Sequence, residues 1–268
     1  QGVTVKYGTS PGNCNLENSP MYEHAGTYTV YYQVSADNYN TLTGSQTVRI
    51  NAKNIGNCSI DDIADRTYDG KAQTPDPVVS DGAKKLVKGT DFTVVYSSNT
   101  NAGTASVTIT GKGNYTGTKT KTFTIQPLSL RSGSGNGAVR TGNVVYTGKV
   151  QNPEISIVLG NGIVTLKGGT DYDITDNTAV NTGFATLMVS GRGNYTGKVS
   201  AQYTISAFPM EAFAEKMVLD QEELVYTGQE VRPSIKIEDS MGKLLKEDTD
   251  YTLIYKDVLN VGTAKVQA

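Results

Sequence analysis

The side chains that could carry chemistry are few, and their spacing limits what they can do. His24 is the only histidine in 268 residues, so any Ser-His-Asp or Cys-His arrangement would have to be built around it. It stands in Glu23-His24-Ala25-Gly26-Thr27, the run into an alternating apolar stretch, where a solvated loop histidine is expected. Carboxylates recur instead: Asp91, Asp171 and Asp250 each follow a Thr and precede an aromatic residue. A group present once in every copy of a motif is expected to fix a shared loop, because an active site repeated three times would be an unusual arrangement. Calcium draws several carboxylate and carbonyl oxygens from one loop. Only Asp61-Asp62-Ile63-Ala64-Asp65 approaches that, and it occurs in one copy. Gly111-Lys112-Gly113 and Gly133-Ser134-Gly135-Asn136-Gly137 open no helix and lack a full phosphate-binding fingerprint. No catalytic residue, metal ligand or cofactor site is expected, and the chain does not read as an enzyme.

Aromatic platforms stack on sugars, and the chain has 16 Tyr and no Trp. Most tyrosines occupy repeated positions, which points to packing. Tyr7, Tyr22 and Tyr31 lie outside the regular copies, and Tyr31 faces outward if Val30 and Tyr32 face inward. Tyr22 and Tyr31 are therefore the candidate ligand contacts.

The elements that would position these groups follow from an internal repeat. Tyr68-Asp69-Gly70-Lys71, Tyr146-Thr147-Gly148-Lys149 and Tyr226-Thr227-Gly228-Gln229 recur at a spacing of about 80 residues, as do Asp91, Asp171 and Asp250. Gly103, Gly183 and Gly262 come next in each copy, and Gly111-Lys112-Gly113-Asn114-Tyr115-Thr116-Gly117 returns as Gly191-Arg192-Gly193-Asn194-Tyr195-Thr196-Gly197. Ala25-Gly26-Thr27-Tyr28 with Asn38-Tyr39 belongs to an earlier, divergent copy. The expected organisation is a partial copy at 1–50, complete copies at 51–126 and 127–206, and a truncated copy at 207–268.

Ala105, Val107 and Ile109 alternate with Thr104, Ser106 and Thr108, the period-two pattern of a half-buried strand. Further strands are predicted over Thr93 to Tyr96 and Lys119 to Ile125, separated by Gly, Asn and Asp turn signals. About seven short strands per copy predict an all-β chain of tandem immunoglobulin-like β-sandwich repeats in an elongated array. Only Met210 to Met217 suggests a short helical turn. Gly70, Gly103 and Gly111 are expected to supply positive φ. Asp91 or Asn114 should bond nearby backbone amides, and Tyr115 and Tyr195 should bury a ring while the hydroxyl meets a backbone partner.

Lys plus Arg is 24 and Asp plus Glu is 26, a net charge of −2, with no basic stripe for nucleic acid. No stretch nears the roughly 18 apolar residues of a membrane span. Gln1-Gly2-Val3 lacks the features of a signal peptide and reads as the middle of something larger.

Leu86 to Phe92, Ala102 to Ala105, Gly111 to Gly117 and Phe123-Thr124-Ile125 together resemble the MBG-type immunoglobulin-like repeats of bacterial surface proteins. Ala25 to Tyr32 with Ala36 to Asn40 resembles a sister repeat found beside them. The resemblance covers essentially the whole chain. It implies a secreted or wall-attached protein of a Gram-positive bacterium, anchored outside this segment, with a spacer or adhesive role and no catalytic residues. The partners expected are neighbouring repeats of the same chain, with a host glycan or protein as the rival reading through the first copy, and a monomer is expected. An accessory segment of a larger extracellular enzyme is the third reading.

Cys14 and Cys58 are the only cysteines. Aligning the copies on Tyr68, Tyr146 and Tyr226 places Asn136 and Lys216 where Cys58 stands, so the thiol is not a shared core position. In an exported chain, two unshared cysteines in adjacent copies invite a disulfide across the junction. The alternative is two independent thiols.

Overall fold

The structure, a computed structural model, describes residues 2–209, 217–221, 223–238, 242–256, 258–259, 262–263 and 265–267. Residues 210–216, where the sequence suggested a helical turn, lie outside this set. Among the described residues the chain is essentially all β, with one short 3-10 turn at Ile55–Asn57 and no α-helix. It divides into two compact units, 1–128 and 129–268.

In the first unit, strands Thr4–Gly8, Gly26–Ser35 and Leu42–Ile50 form an antiparallel three-stranded sheet in chain order. Residues 51–126 build two further sheets. The larger is ordered Arg66–Thr67, Thr118–Gln126, Gly103–Gly111, Phe92–Ser97, and the smaller Ser59–Ile60, Val79–Asp81, Lys84–Lys85. The short strand at Tyr115–Thr116 runs parallel to Lys53–Asn54. Phe92, Val107 and Ile109 of the large sheet meet Ile55, Cys58, Val79 and Leu86 of the opposite layer, with Tyr115 closing one end of this core. The alternation read in the sequence is what makes this layering work. Ala105, Val107 and Ile109 are fully buried on one face, and Thr108 on the other hydrogen-bonds Thr120 across the strands at 3.1 Å.

The second unit repeats the plan. Its larger sheet runs Val144–Val145, Lys198–Ser206, Gly183–Gly191, Tyr172–Asp176, and its smaller one Val139–Thr141, Ile155–Leu159, Gly162–Thr165. Tyr68 and Tyr146 mark the same point in both plans: each backbone N–H donates to the last carbonyl of the long parallel strand, at Gln126 and Ser206. In the last copy, Met217–Leu219 pairs with Ile235–Ile237 and Ile254–Lys256 with Lys265–Gln267. Tyr226 is exposed there.

Candidate functional site

The recurring aspartates build one loop three times. Oδ2 of Asp91 accepts from the Val87 amide, that of Asp171 from Lys167 and that of Asp250 from Lys246, each at 2.9 Å and four residues back. The Asp91 and Asp171 carbonyls then accept from Lys112 and Arg192, both at 2.8 Å, tying the loop to the strand that follows Gly111 or Gly191. Each aspartate thereby fixes the geometry of its own loop. Among the described residues, no three His, Cys, Asp or Glu side chains gather to hold a metal.

The glycines divide by mechanism. Gly70, Gly103, Gly183 and Gly262 have φ of 79°, 135°, 122° and 152°, conformations that side chains obstruct. Gly111 does not have the positive φ expected of it. It is required for close approach, since a Cβ there would lie 2.6 Å from the Thr116 nitrogen, and one at Gly191 would lie 2.7 Å from Thr196.

The corner tyrosine also departs from expectation. Tyr115 is buried, but its hydroxyl donates to the Asp81 carboxylate at 3.2 Å and not to a backbone carbonyl. Lys53 meets the other Asp81 oxygen at 2.5 Å, and the Lys84 ammonium lies 5.8 Å from the Tyr115 ring centroid. The Lys53 bond holds the Asp81 carboxyl below its ordinary range and raises the lysine. Both partners are thereby kept ionised.

Asn114 was expected to serve its own loop and instead reaches back about 90 residues. Its Oδ1 accepts from the Ala25 amide at 2.7 Å, and its Nδ2 lies 3.0 Å from Nδ1 of His24. Its backbone carbonyl accepts from Lys53 at 2.9 Å. The single histidine is thus an exposed junction residue whose own carbonyl takes the Tyr28 hydroxyl. No nucleophile or carboxylate is paired with it among these bonds. Sequence reasoning missed this clamp because no local spacing connects positions so far apart.

The two cysteines are not brought together, and both are free thiols. Cys58 is 2% exposed and turned into the core beside Ile55 and Val79, where burial raises its thiol pKa. Cys14 is half-buried in the loop whose backbone crosses Gly8. With Cys58 turned inward, the arrangement is the second of the two the sequence left open, two independent thiols.

The candidate ligand tyrosines are separated as well. Tyr22 stacks on Tyr28 with centroids 3.9 Å apart, which puts it on the face shared by Tyr28, Val30 and Tyr32. Tyr31 alternates to the opposite face. They do not form one platform. Asn194 and Tyr195 occupy the positions of Asn114 and Tyr115 one period later, with Tyr195 buried.

No helix among the described residues is long and apolar enough to cross a membrane. No family model matches the chain, and no curated protein matches it. Solved structures similar to it include a protocadherin gammaB7 EC3-6 cis-dimer, at 12% identity and a TM-score of 0.17, covering 67% of this chain and 58% of that one. Extracellular cadherin domains 3-6 of protocadherin gamma B2 give 10% identity and a TM-score of 0.18, over 87% and 76% of the two chains. The Bacteroides ovatus mixed-linkage glucan utilization locus SGBP-B, in complex with a mixed-linkage heptasaccharide, gives 12% and 0.15 over 84% and 63%. At such scores the arrangements do not superpose, and the chain spans under two thirds of the first and third.

Proposed function

We propose that the chain is a run of immunoglobulin-like β-sandwich repeats of the MBG surface-protein type, acting outside the cell as a non-catalytic spacer that presents or carries other parts of its protein. The observation behind this reading is where the recurring polar groups spend their bonds. The three aspartates close their own loops, and Asn114 ties the start of one copy's strand to the next copy. Residues that recur because a scaffold needs them leave nothing convergent for substrate. A short, hydrogen-bonded junction also restricts bending between neighbours, which is what a spacer requires.

Small-angle scattering of the monomer tests the proposal. A compact globule of 268 residues has a radius of gyration of roughly 18 Å. Units of about 30 Å set in line span on the order of 100 Å, with a radius of gyration of about 30 Å. A value near 18 Å would overturn the spacer reading. The rival, glycan recognition through the first copy, is favoured only by the stacked Tyr22–Tyr28 pair. Glycan-array binding abolished by Tyr22→Ala would establish it in the spacer's place.

A further inference from the structure

Superposing the copies on Gly26, Gly103, Gly183 and Gly262 makes four edge strands equivalent through their cross-strand pairings: Thr4–Gly8, Phe92–Ser97, Tyr172–Asp176 and Ile254–Lys256. An edge presents unpaired N–H and C=O groups to any passing strand, and proteins guard it with charge, bulges or cover. In the first copy Lys6 stands on the outward face and Leu16 covers Tyr7, each amide donating to the other's carbonyl at 2.8 and 3.0 Å. In the third, Asp173 and Asp176 accompany a shift of register after Ile174. In the last, Lys256 takes the place of Ser97. The second copy has none of these guards. Its Thr93-Val94-Val95-Tyr96-Ser97 carries no charge, keeps unbroken register with its neighbour and leaves Val95 66% exposed.

The backbone of this edge is free to bond. The Phe92 carbonyl accepts from the Gly89 amide at 2.7 Å, away from the paired strand Gly103–Gly111. Alternation along the strand then sends the backbone groups of Val94 and Tyr96 out of the same edge. Tyr7, the counterpart of Val94, spends those groups on Leu16. Among the described residues, no backbone bond reaches Val94 or Tyr96 from outside their own sheet. Gln73 meets Asn99 beyond the strand's end, and Pro75 accepts only the Tyr96 hydroxyl.

We infer that Phe92–Ser97 is a docking edge whose occupant is the same strand of a second copy of this chain, added antiparallel about a two-fold axis through Val95. In that register Val95 faces Val95 of the second copy, Thr93 faces Ser97, and Val94 exchanges both backbone bonds with Tyr96. Apolar groups thus meet apolar ones and hydroxyls meet hydroxyls, with no like charges opposed. Two observations select this occupant. The Leu16–Tyr7 pair shows that the equivalent edge accepts an antiparallel strand. The edge also offers no charge to choose a foreign sequence, whereas its own sequence matches itself on both faces. Five residues a side bury well under the roughly 800 Å² per partner of a standard contact, so the dilute chain stays monomeric and pairs where chains are concentrated.

Two measurements on the 268-residue chain test this. Residue-resolved hydrogen exchange at Val94 and Tyr96 should be at least threefold slower at about 1 mM than at about 10 μM, the range that so small a contact implies. Val95→Lys, at an exposed site, sets two ammonium groups against each other across the axis and should remove the difference. The second measurement is copper-phenanthroline oxidation in a Cys14→Ser background. Val95→Cys should give a disulfide-linked dimer in at least about fivefold the yield of Thr122→Cys, because directly opposed residues of this kind lie about 4.5 Å apart. Thr122 is also exposed but lies two strands in from the edge. Thr93→Cys and Ser97→Cys chains should cross-link to each other when mixed and little when alone. Exchange that is equally slow at both concentrations would overturn the inference by showing the edge covered within one chain, and exchange equally fast at both would overturn it outright. Slowing that survives Val95→Lys, or cross-links that ignore this register, would overturn it by assigning the contact to another surface.

Discussion

Truncating Val107 to alanine should destabilise the second repeat far more than the same truncation of Val48 destabilises the first. Val107 is 0% exposed and packs between the two sheets, whereas Val48 is 41% exposed. Removing two buried methyl-sized groups costs about 1.6 kcal/mol of transfer free energy at about 0.8 each. The void of roughly 35 to 40 Å³ adds about 0.9 kcal/mol at 24 cal/mol per Å³. Val107→Ala should therefore cost about 2.5 kcal/mol, or roughly seventyfold in an opening equilibrium. Val48→Ala leaves no closed cavity and removes surface already partly in water, so its cost should stay below about 1 kcal/mol, or about fivefold. Native-state hydrogen exchange reads both locally, in the strands Gly103–Gly111 and Gly26–Ser35. A ratio near one between the two effects would refute the reasoning from the burial of Val107 and the exposure of Val48.

The remaining expectations concern the polar groups. Asp91→Ala should cost about 1 to 2 kcal/mol in urea unfolding, because the Val87 amide loses its acceptor in a nearly closed loop. A change within 0.3 kcal/mol would exclude the loop-fixing role. Asn114→Ala should speed exchange at the Ala25 amide while leaving the strand Phe92–Ser97 protected, and Asn114→Asp should retain most of that protection because the accepting oxygen remains. The Lys53–Asp81 pair should add stability fully between about pH 4 and about pH 10.4, the ordinary carboxyl and amine values. That contribution is lost as pH falls through the lowered Asp81 value, and again as pH rises through the raised Lys53 value. Asp81→Asn should flatten both limbs of the stability–pH curve, and an unchanged acid limb would count against the pair. Native alkylation should modify Cys14 well before Cys58, whose buried thiol is held protonated. An intact mass two hydrogens low would contradict the free-thiol arrangement.

What the sequence made legible was local and periodic. The alternation of Ala105, Val107 and Ile109 located a strand that the structure places at Gly103–Gly111, and Thr93 to Tyr96 located its neighbour at Phe92–Ser97. Thr-Asp-Phe and Thr-Asp-Tyr pointed to a loop because an aspartate bonding an amide four residues back depends only on its own segment. Contacts joining distant segments were not legible. Nothing near Tyr115 marks Asp81 as the partner of its hydroxyl, and nothing near Asn114 marks Ala25. The choice between a disulfide and two independent thiols was illegible for a related reason: spacing says which thiols are rare but not which way a side chain turns, and Cys58 turns inward.

The comparison between copies carries a further consequence. Asn38-Tyr39, Asn114-Tyr115 and Asn194-Tyr195 are the same dipeptide, yet only the latter two tyrosines are buried. Burial is therefore a property of the surrounding layer and not of the motif. In the second repeat that layer includes Lys53–Asn54, which pairs in parallel with Tyr115–Thr116 and draws the corner inward. The asparagine is separable from this, since its side chain acts on the preceding copy through Ala25 while its carbonyl serves Lys53. One residue thus couples the interior of its own repeat to the junction behind it. Lengthening the link at Ala52 by two glycines should separate these functions, weakening protection of the Ala25 amide while Tyr115 stays buried. Loss of both together would mean that the corner and the clamp form a single cooperative element.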